Sequence, residues 1–196
     1  MSKFRPSFMH IQYNAPFSLT FALLSLVALG LAKLTGGVST VRLFSVYPAS
    51  LSDPLTYVRL FGHVLGHSGI QHYAGNFLII LMVGPLLEEK YGSSLLAIMA
   101  AITAAVTGIL FMILTSKAAL LGASGVVFMM ILLSSFANIQ QGRIPLTLVV
   151  VIIIYLGQEF VAGMTRVDSI SHLAHIIGGL CGVGFGFFLS PKMRKK

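Results

Sequence analysis

Charged residues are scarce in this chain, and acidic residues are the scarcest of all. Only 9% of its 196 residues are charged and five of them are acidic, while 56% are hydrophobic and the mean hydropathy is +0.92. A soluble domain of this size cannot bury so much apolar surface. The composition therefore excludes an ordinary soluble protein and indicates one that resides in a lipid bilayer.

Cysteine is nearly absent as well, and the charge that is present has one dominant sign. The single cysteine, Cys181, lies inside an apolar run, so the sequence contains no disulfide framework. The net charge of +8 is typical of a membrane protein that contacts anionic lipid. We expect the lipid bilayer as a partner and no nucleic-acid partner.

Six apolar stretches are each close to the ~20 residues that cross a bilayer as a helix. They are residues 16–34, 71–87, 94–115, 124–139, 144–163 and 171–189. We predict an all-α membrane protein, a bundle of six transmembrane helices in which residues 1–196 form a single domain. The fourth stretch is short, which places its first residue, Ser124, below the membrane surface at the bottom of a cavity.

Basic residues indicate how the bundle is oriented. Six spans place both termini on the same side of the membrane, and that side carries eight Lys and Arg residues against five on the other. Such an excess marks the cytoplasm. An alternative interpretation of the first apolar run is a signal peptide, which we disfavour because the five remaining spans would separate the two basic ends.

Residues 35–70 are too polar for a span and too apolar for a solvated loop. We predict that they form a membrane-embedded interfacial loop between the first two spans. Pro48 and Pro54 divide it into short helices, and the pair Asp53-Pro54 is typical of a helix start.

Polar residues inside apolar runs are costly and therefore indicate function. Ser124 stands in Gly122-Ala123-Ser124-Gly125, and His175 stands in the last apolar run. A hydroxyl nucleophile and an imidazole base are the minimum equipment for acyl transfer. Asp168 precedes His175 by seven residues, about 10 Å along a helix, which is too far to orient the ring. We therefore predict a Ser-His dyad rather than a triad.

His72 and Asn76 are four residues apart, so they share one face of a helix. Together with the backbone N–H of Ser124, both could donate hydrogen bonds to an oxyanion hole. The alternative is that this pair only joins neighbouring helices.

Glycines repeat every four residues in the last span, at Gly178, Gly182 and Gly186, and His175 falls within the same stripe. Such a stripe lets another backbone approach closely. We expect the helix that carries Ser124 to pack there, although ordinary helix packing would use the same pattern.

Three motifs, in this order, resemble the rhomboid intramembrane serine proteases, and the six-span size with basic ends is similar to their bacterial GlpG type. The motifs are His72-Tyr73-Ala74-Gly75-Asn76, Gly122-Ala123-Ser124-Gly125, and Ala174-His175-Ile176-Ile177-Gly178 with Gly182. The resemblance covers nearly the whole chain. It implies that Ser124 is the nucleophile, that His175 is the general base, and that residues 35–70 are the membrane-embedded first loop.

The resemblance also implies an endopeptidase that cleaves single-span or polytopic membrane proteins in or near their transmembrane helices, with no metal or cofactor. His72 and Asn76 would stabilise the oxyanion, with Gly122 and Phe128 in support. The expected location is the bacterial inner membrane, with both termini cytoplasmic and the active site opening to the periplasm. Neither the physiological substrate nor the oligomeric state is indicated.

Two positions depart from the family pattern. Val58-Arg59 stands where the family has a tryptophan-arginine pair, and the chain contains no tryptophan. Phe128 stands where the family often has a tyrosine; its ring could pack on the His175 ring but offers no hydroxyl.

A polytopic transporter or channel is the alternative function, because intramembrane His and Asn often mark ion paths. No duplicated halves are visible, and only Glu159 is a carboxylate near a span centre. A zinc protease would need a glutamate after His63, where Val64 stands. Glu159 and His172 have no assigned role.

Overall fold

The fold is described from a computed structural model, which covers residues 12–116, 118–136, 146, 149–150, 153–154 and 169–189, with side chains in the last segment from residue 172. These residues form α1 (Pro16–Leu34), α2 (Val38–Leu43), α3 (Pro54–Gly62), α4 (Ile70–Tyr91), α5 (Ser93–Leu114), α6 (Ser124–Ser135) and α7 (Ser169–Leu189), with a 3-10 turn at His63–Leu65. This part of the chain is all-helical apart from an isolated bridge between Val46 and Leu120.

Four of these helices, α1, α4, α5 and α7, are long and apolar enough to cross a bilayer, and α6 is apolar but shorter. They leave large apolar side chains exposed, which suits contact with hydrocarbon; examples are Leu23, Met82, Ile113 and Phe188. The chain is therefore a multi-pass membrane protein. The predicted fifth span, 144–163, falls mainly outside the described residues, so the count of six remains a prediction, as does the embedding of residues 35–70 in the membrane.

The start of α1 is capped by a side chain from another helix. Its own N-cap residue is Ala15, which has no polar side chain. The carboxylate of Glu88 in α4 instead accepts hydrogen bonds from the backbone N–H groups of Phe17 and Ser18, both at 2.9 Å. It also accepts from the hydroxyls of Ser18 at 2.7 Å and Ser93 at 2.5 Å. A negative charge is favourable at a helix N-terminus, so Glu88 joins α1 to α4.

This contact explains why α4 extends beyond its predicted end at Leu87. The helix continues through Glu88 to Tyr91 and ends at Gly92, whose φ is +81°. Glu88 does not stop the helix because donors from α1 and Ser93 satisfy its charge. Gly84 permits the close approach, since a Cβ there would overlap the side chain of Ser18.

Glu88→Gln should lower the stability of the folded protein. The amide has no charge, and only one of its two terminal atoms can accept a hydrogen bond, whereas both carboxylate oxygens of Glu88 accept. Hydrogen bonds to charged groups contribute about 2 kcal/mol each, so the melting temperature in detergent should fall by several degrees. Glu89→Gln is the matched control, since Glu89 is adjacent and exposed. An equal change in the two variants would contradict this role for Glu88.

Helix α6 lies at the centre of the described structure, and α7 packs along it at backbone contact. Five side chains of α6 are almost completely buried: Val126, Met129, Met130, Leu132 and Leu133. A Cβ at Gly178 would overlap the backbone of Gly125, one at Gly182 the backbone of Met129, and one at Gly186 the ring of Phe136. The two helices therefore touch over about two turns.

Gly182→Ala should destabilise the protein, because its new methyl group would force the backbones of α6 and α7 apart. We expect a loss of about 1–3 kcal/mol, the usual cost of overpacking a core. Gly184→Ala is the matched control on the same helix, since no described atom lies within 4 Å of its Cβ position. It should be neutral or stabilising by up to about 1 kcal/mol. Thermal unfolding of both variants in one detergent tests this, and equal stabilities would refute the close contact.

The segment between α1 and α4 contains an ion pair between a buried arginine and a partly exposed aspartate. Helix α3 begins at Pro54 after Asp53, which caps it by accepting from the N–H of Leu55 at 3.0 Å, so the predicted helix start is confirmed. Arg59 is 3% exposed, and its Nη2 donates to Asp53 at 2.6 Å. This hydrogen bond holds the pKa of the Asp53 carboxyl below its usual value. The Arg59 guanidinium also lies 4.7 Å from the ring centre of Tyr47.

Tyr47 therefore provides an aromatic partner for Arg59, although the neighbouring residue in the sequence is Val58. A guanidinium over an aromatic face is attracted by the ring quadrupole. Although the chain contains no tryptophan, Arg59 still has an aromatic contact. Tyr47, twelve positions earlier in the sequence, provides it.

Candidate active site

The turn before α6 determines how Ser124 is presented. Gly122 has φ +123°, which side chains other than glycine rarely adopt. Its N–H donates to the carbonyl of His63 at 2.9 Å, while Leu120 pairs with Val46. Ser124 is the first residue of α6, where backbone N–H groups have no partner within the helix. The hydroxyl thus stands beside the positive end of the helix dipole.

His72 and Asn76 of α4 lie directly against this turn. A Cβ at Gly122 would be 2.8 Å from both Cε1 and Nε2 of His72, and 3.9 Å from Nδ2 of Asn76. Glycine at position 122 therefore leaves room for both side-chain nitrogens beside the start of α6. Asn76 is 7% exposed, and its Nδ2 has no hydrogen-bond partner in the described part of the chain. A buried donor in that condition is costly and is available to a ligand.

His175 of α7 lies beside the same end of α6. Its ring stacks on Phe128, with centroids 4.4 Å apart and planes at 6°. Phe128 is one helical turn after Ser124 and shares its face of α6. The close contact of Gly178 with Gly125 lies at the same level. His175 is also near enough to His72 for the two rings to interact electrostatically.

A small cavity adjoins Ser124 and extends toward α5. Its volume is about 10 Å³, close to the space that one water needs. Polar groups in its lining include His63, Thr103 and Thr107. The two threonines were not among the predicted site residues, although their four-residue spacing places them on one face of α5. Ser124 and the two threonines therefore border the same small cavity.

Two of the acidic side chains that the structure describes, Asp53 and Glu88, are engaged away from His175, and Glu89 is exposed beside Glu88. Asp53 bonds to Arg59, and Glu88 caps α1 some four turns from His72 along α4. Asp168 and Glu159 lie outside the described residues. His172 of α7 packs edge-on to His175, with centroids 6.2 Å apart.

The residues of the described segments contain no group of three or more His, Cys, Asp or Glu that could hold a metal ion. His63, one candidate ligand, is turned to its own backbone: Nδ1 lies 3.2 Å from the Arg59 carbonyl and 3.0 Å from that of Leu60. Burial lowers the pKa of His63 to about 4. Its ring is therefore neutral and donates from Nδ1.

Comparison with known proteins gives a consistent result. Residues 54–192 match the Rhomboid domain family. The chain is also similar to the Rhomboid protease GluP of Bacillus subtilis (strain 168), with 29% identity over 174 residues. That alignment covers 83% of this chain and 33% of the relative, so the chain spans about a third of the length of the relative it matches.

The matched region contains every residue that meets at the start of α6, namely Gly122, Ser124, His72, Asn76, Phe128 and His175. These matches do not favour the transporter or channel alternative. The family match covers well over half of this chain, so the chain belongs to the Rhomboid domain family.

Proposed function

We propose that this protein is an intramembrane serine endopeptidase, with Ser124 as the nucleophile and His175 as the general base. The observation that carries the proposal is the stacking of His175 on Phe128, because it holds the imidazole against the face of α6 that begins with Ser124. Membership of the Rhomboid domain family and similarity to a rhomboid protease support the same reaction class.

In the first step, His175 accepts the proton of the Ser124 hydroxyl while Oγ attacks the carbonyl carbon of the peptide bond. The imidazolium then donates this proton to the leaving amine, which produces an acyl-enzyme. Water activated by His175 hydrolyses the ester and regenerates Ser124. Stacking on Phe128 takes over the orientation of the ring that a carboxylate provides in a triad.

The negative charge that develops on the carbonyl oxygen requires donors already in place. Nδ2 of Asn76 and Nε2 of His72 both face the turn at Gly122, beside the backbone N–H of Ser124. The lack of a partner for Nδ2 within the described segments supports its assignment as an oxyanion donor. A donor without a partner among the described residues has no such hydrogen bond to give up when the transition state forms.

We propose single-span or polytopic membrane proteins as substrates. The backbone carbonyls of a transmembrane helix are already hydrogen-bonded and sterically covered, so cleavage requires local unwinding. Substrates with glycine, proline or other helix-weakening residues near the scissile bond should be preferred. The cavity beside Ser124 has room for about one water close to the acyl-enzyme.

For the membrane arrangement, we propose a six-span domain of the bacterial GlpG type in the inner (plasma) membrane, with residues 35–70 embedded in it. Both termini would be cytoplasmic and the active site would open to the periplasm. The distribution of Lys and Arg, eight against five, supports this orientation. His72, Ser124 and His175 lie near the starts of α4, α6 and α7, the second, fourth and sixth predicted spans. Alternate spans of a bundle start on the same side of the membrane, which supports one opening for all three residues.

Ser124→Ala should abolish hydrolysis of a single-span substrate reconstituted with the full chain, since the nucleophile is removed. We expect a loss of at least about 10³-fold, as for other serine nucleophiles. A fluorophosphonate probe should label the wild type and fail to label this variant. Ser135→Ala is the matched control, because Ser135 is at the other end of α6 and bonds to the carbonyl of Ile131. Labelling that persists in Ser124→Ala would exclude Ser124 as the nucleophile.

Phe128→Ala should lower kcat more than it changes KM, because it removes the surface on which His175 is oriented. An aromatic stack contributes about 0.5–1.5 kcal/mol, so kcat should fall about three- to ten-fold. Phe128→Tyr keeps the ring and should lose much less. Peptide hydrolysis by both variants, at matched thermal stability, distinguishes the two effects. Equal losses in the two variants would show that stacking is not the cause.

A further inference from the structure

We propose that Ser68 and His67, which immediately precede α4, are positioning residues that fix the tautomer and orientation of His72. The proposal rests on the proposed function, because it concerns His72 as a donor to the oxyanion. The imidazole of His72 is contacted on three sides: Ser68 meets Nδ1, His67 packs on the ring, and Gly122 lies against Nε2.

Ser68 determines which nitrogen of His72 carries the proton. Its backbone N–H donates to Nδ1 of His72 at 3.5 Å, and its Oγ lies 3.2 Å from the same nitrogen. The hydroxyl contact is the shorter of the two, and Nδ1 can accept from both the hydroxyl and the backbone N–H only through its lone pair. In that arrangement Nδ1 carries no proton and the ring is neutral. The single proton of the ring is then on Nε2. His72 is the third residue of α4, so this contact resembles a capping box, in which the third side chain reaches back to a backbone N–H.

His67 restricts rotation of the same ring. It is 2% exposed, and its ring centroid is 5.0 Å from that of His72, with the planes inclined at 63°. Tyr73 and Phe77 pack against it, each with centroids at 5.6 Å. Its Nδ1 lies 3.1 Å from the carbonyl of Leu65, to which it donates.

Two further features indicate that His67 acts by packing. Its Nε2 is buried and has no hydrogen-bond partner in the described segments. Burial lowers the pKa of His67 to about 4, so its ring carries no charge at neutral pH. His67 therefore presents a fixed, uncharged ring to His72 and hinders the flip that would exchange its two nitrogens.

The tautomer of His72 determines whether this ring can donate a hydrogen bond to the oxyanion. With the proton on Nε2, His72 offers a donor at the turn before Ser124, where negative charge develops. The opposite tautomer would direct a lone pair at that charge and repel it. Ser68 thus decides whether His72 stabilises or opposes the transition state, without itself touching the substrate.

The tautomer can be read by NMR on the full chain in detergent micelles at neutral pH, with ¹⁵N-labelled histidine. The chain has six histidines, and the signal of His72 is identified by its loss in His72→Asn. Wild-type His72 should be protonated on Nε2. Ser68→Ala removes the closer of the two donors and leaves only the backbone N–H at 3.5 Å, so it should populate the other tautomer in part. It should lower kcat about five-fold with KM unchanged, a fraction of the loss caused by removing an oxyanion donor. Ser68→Thr should restore both readouts.

Ser52→Ala is the matched control, since Ser52 is an exposed serine of the same connecting segment. It should change neither the tautomer nor kcat. His67→Phe keeps an aromatic ring beside His72 and should retain more activity than His67→Ala. In His67→Ala the NMR signals of His72 should broaden, because its ring is less restricted.

A wild-type His72 protonated on Nδ1, or an unchanged tautomer in Ser68→Ala, would overturn the proposal. The NMR readout does not depend on proteolysis. If the wild type cleaves no substrate, the proposed function fails, while the tautomer of His72 still decides whether Ser68 controls this ring.

Discussion

Backbone contact between α6 and α7 is the constraint on which the candidate site depends. Side chains of ordinary size would hold the axes of two helices about 8–10 Å apart and keep their backbones from touching. Glycines 178 and 182 remove this barrier, so α7 lies against the backbone of α6 at Gly125 and Met129. The same contact brings His175 onto Phe128. The geometry of the candidate site and the packing of α6 against α7 are thus one feature of this protein.

Around this contact, several polar groups are bonded to other groups of the protein. The carboxylate of Glu88 accepts hydrogen bonds at the start of α1, and Nη2 of Arg59 donates to Asp53, although Nε of Arg59 has no partner within the described residues. Nδ2 of Asn76, in contrast, has no partner in the described part of the chain. Unsatisfied buried donors reduce stability, so they are retained where a reaction needs them.

Much of the fold could be predicted because the membrane imposes length and polarity on each helix. The first predicted span matches α1 at both ends, and the helix start at Asp53-Pro54 is confirmed. The predicted end of the second span, Leu87, differs from the end of α4 because a charged residue usually ends an apolar run. Here the charge of Glu88 accepts hydrogen bonds from another helix, so α4 continues past it. Thr103, Thr107 and Tyr47 were overlooked because nothing local distinguishes them from ordinary helix or loop residues.

The amino-acid sequence alone specifies which residue types form the candidate site and in what order their helices follow. Apolar runs, and the costly polar residues inside them, are visible in any membrane sequence. Which nitrogens meet at Gly122, which ring supports His175 and which aromatic accompanies Arg59 were decided only in three dimensions. Those pairings join residues far apart along the chain. Their distances depend on how closely whole helices pack, and periodicity along one helix carries no information about that.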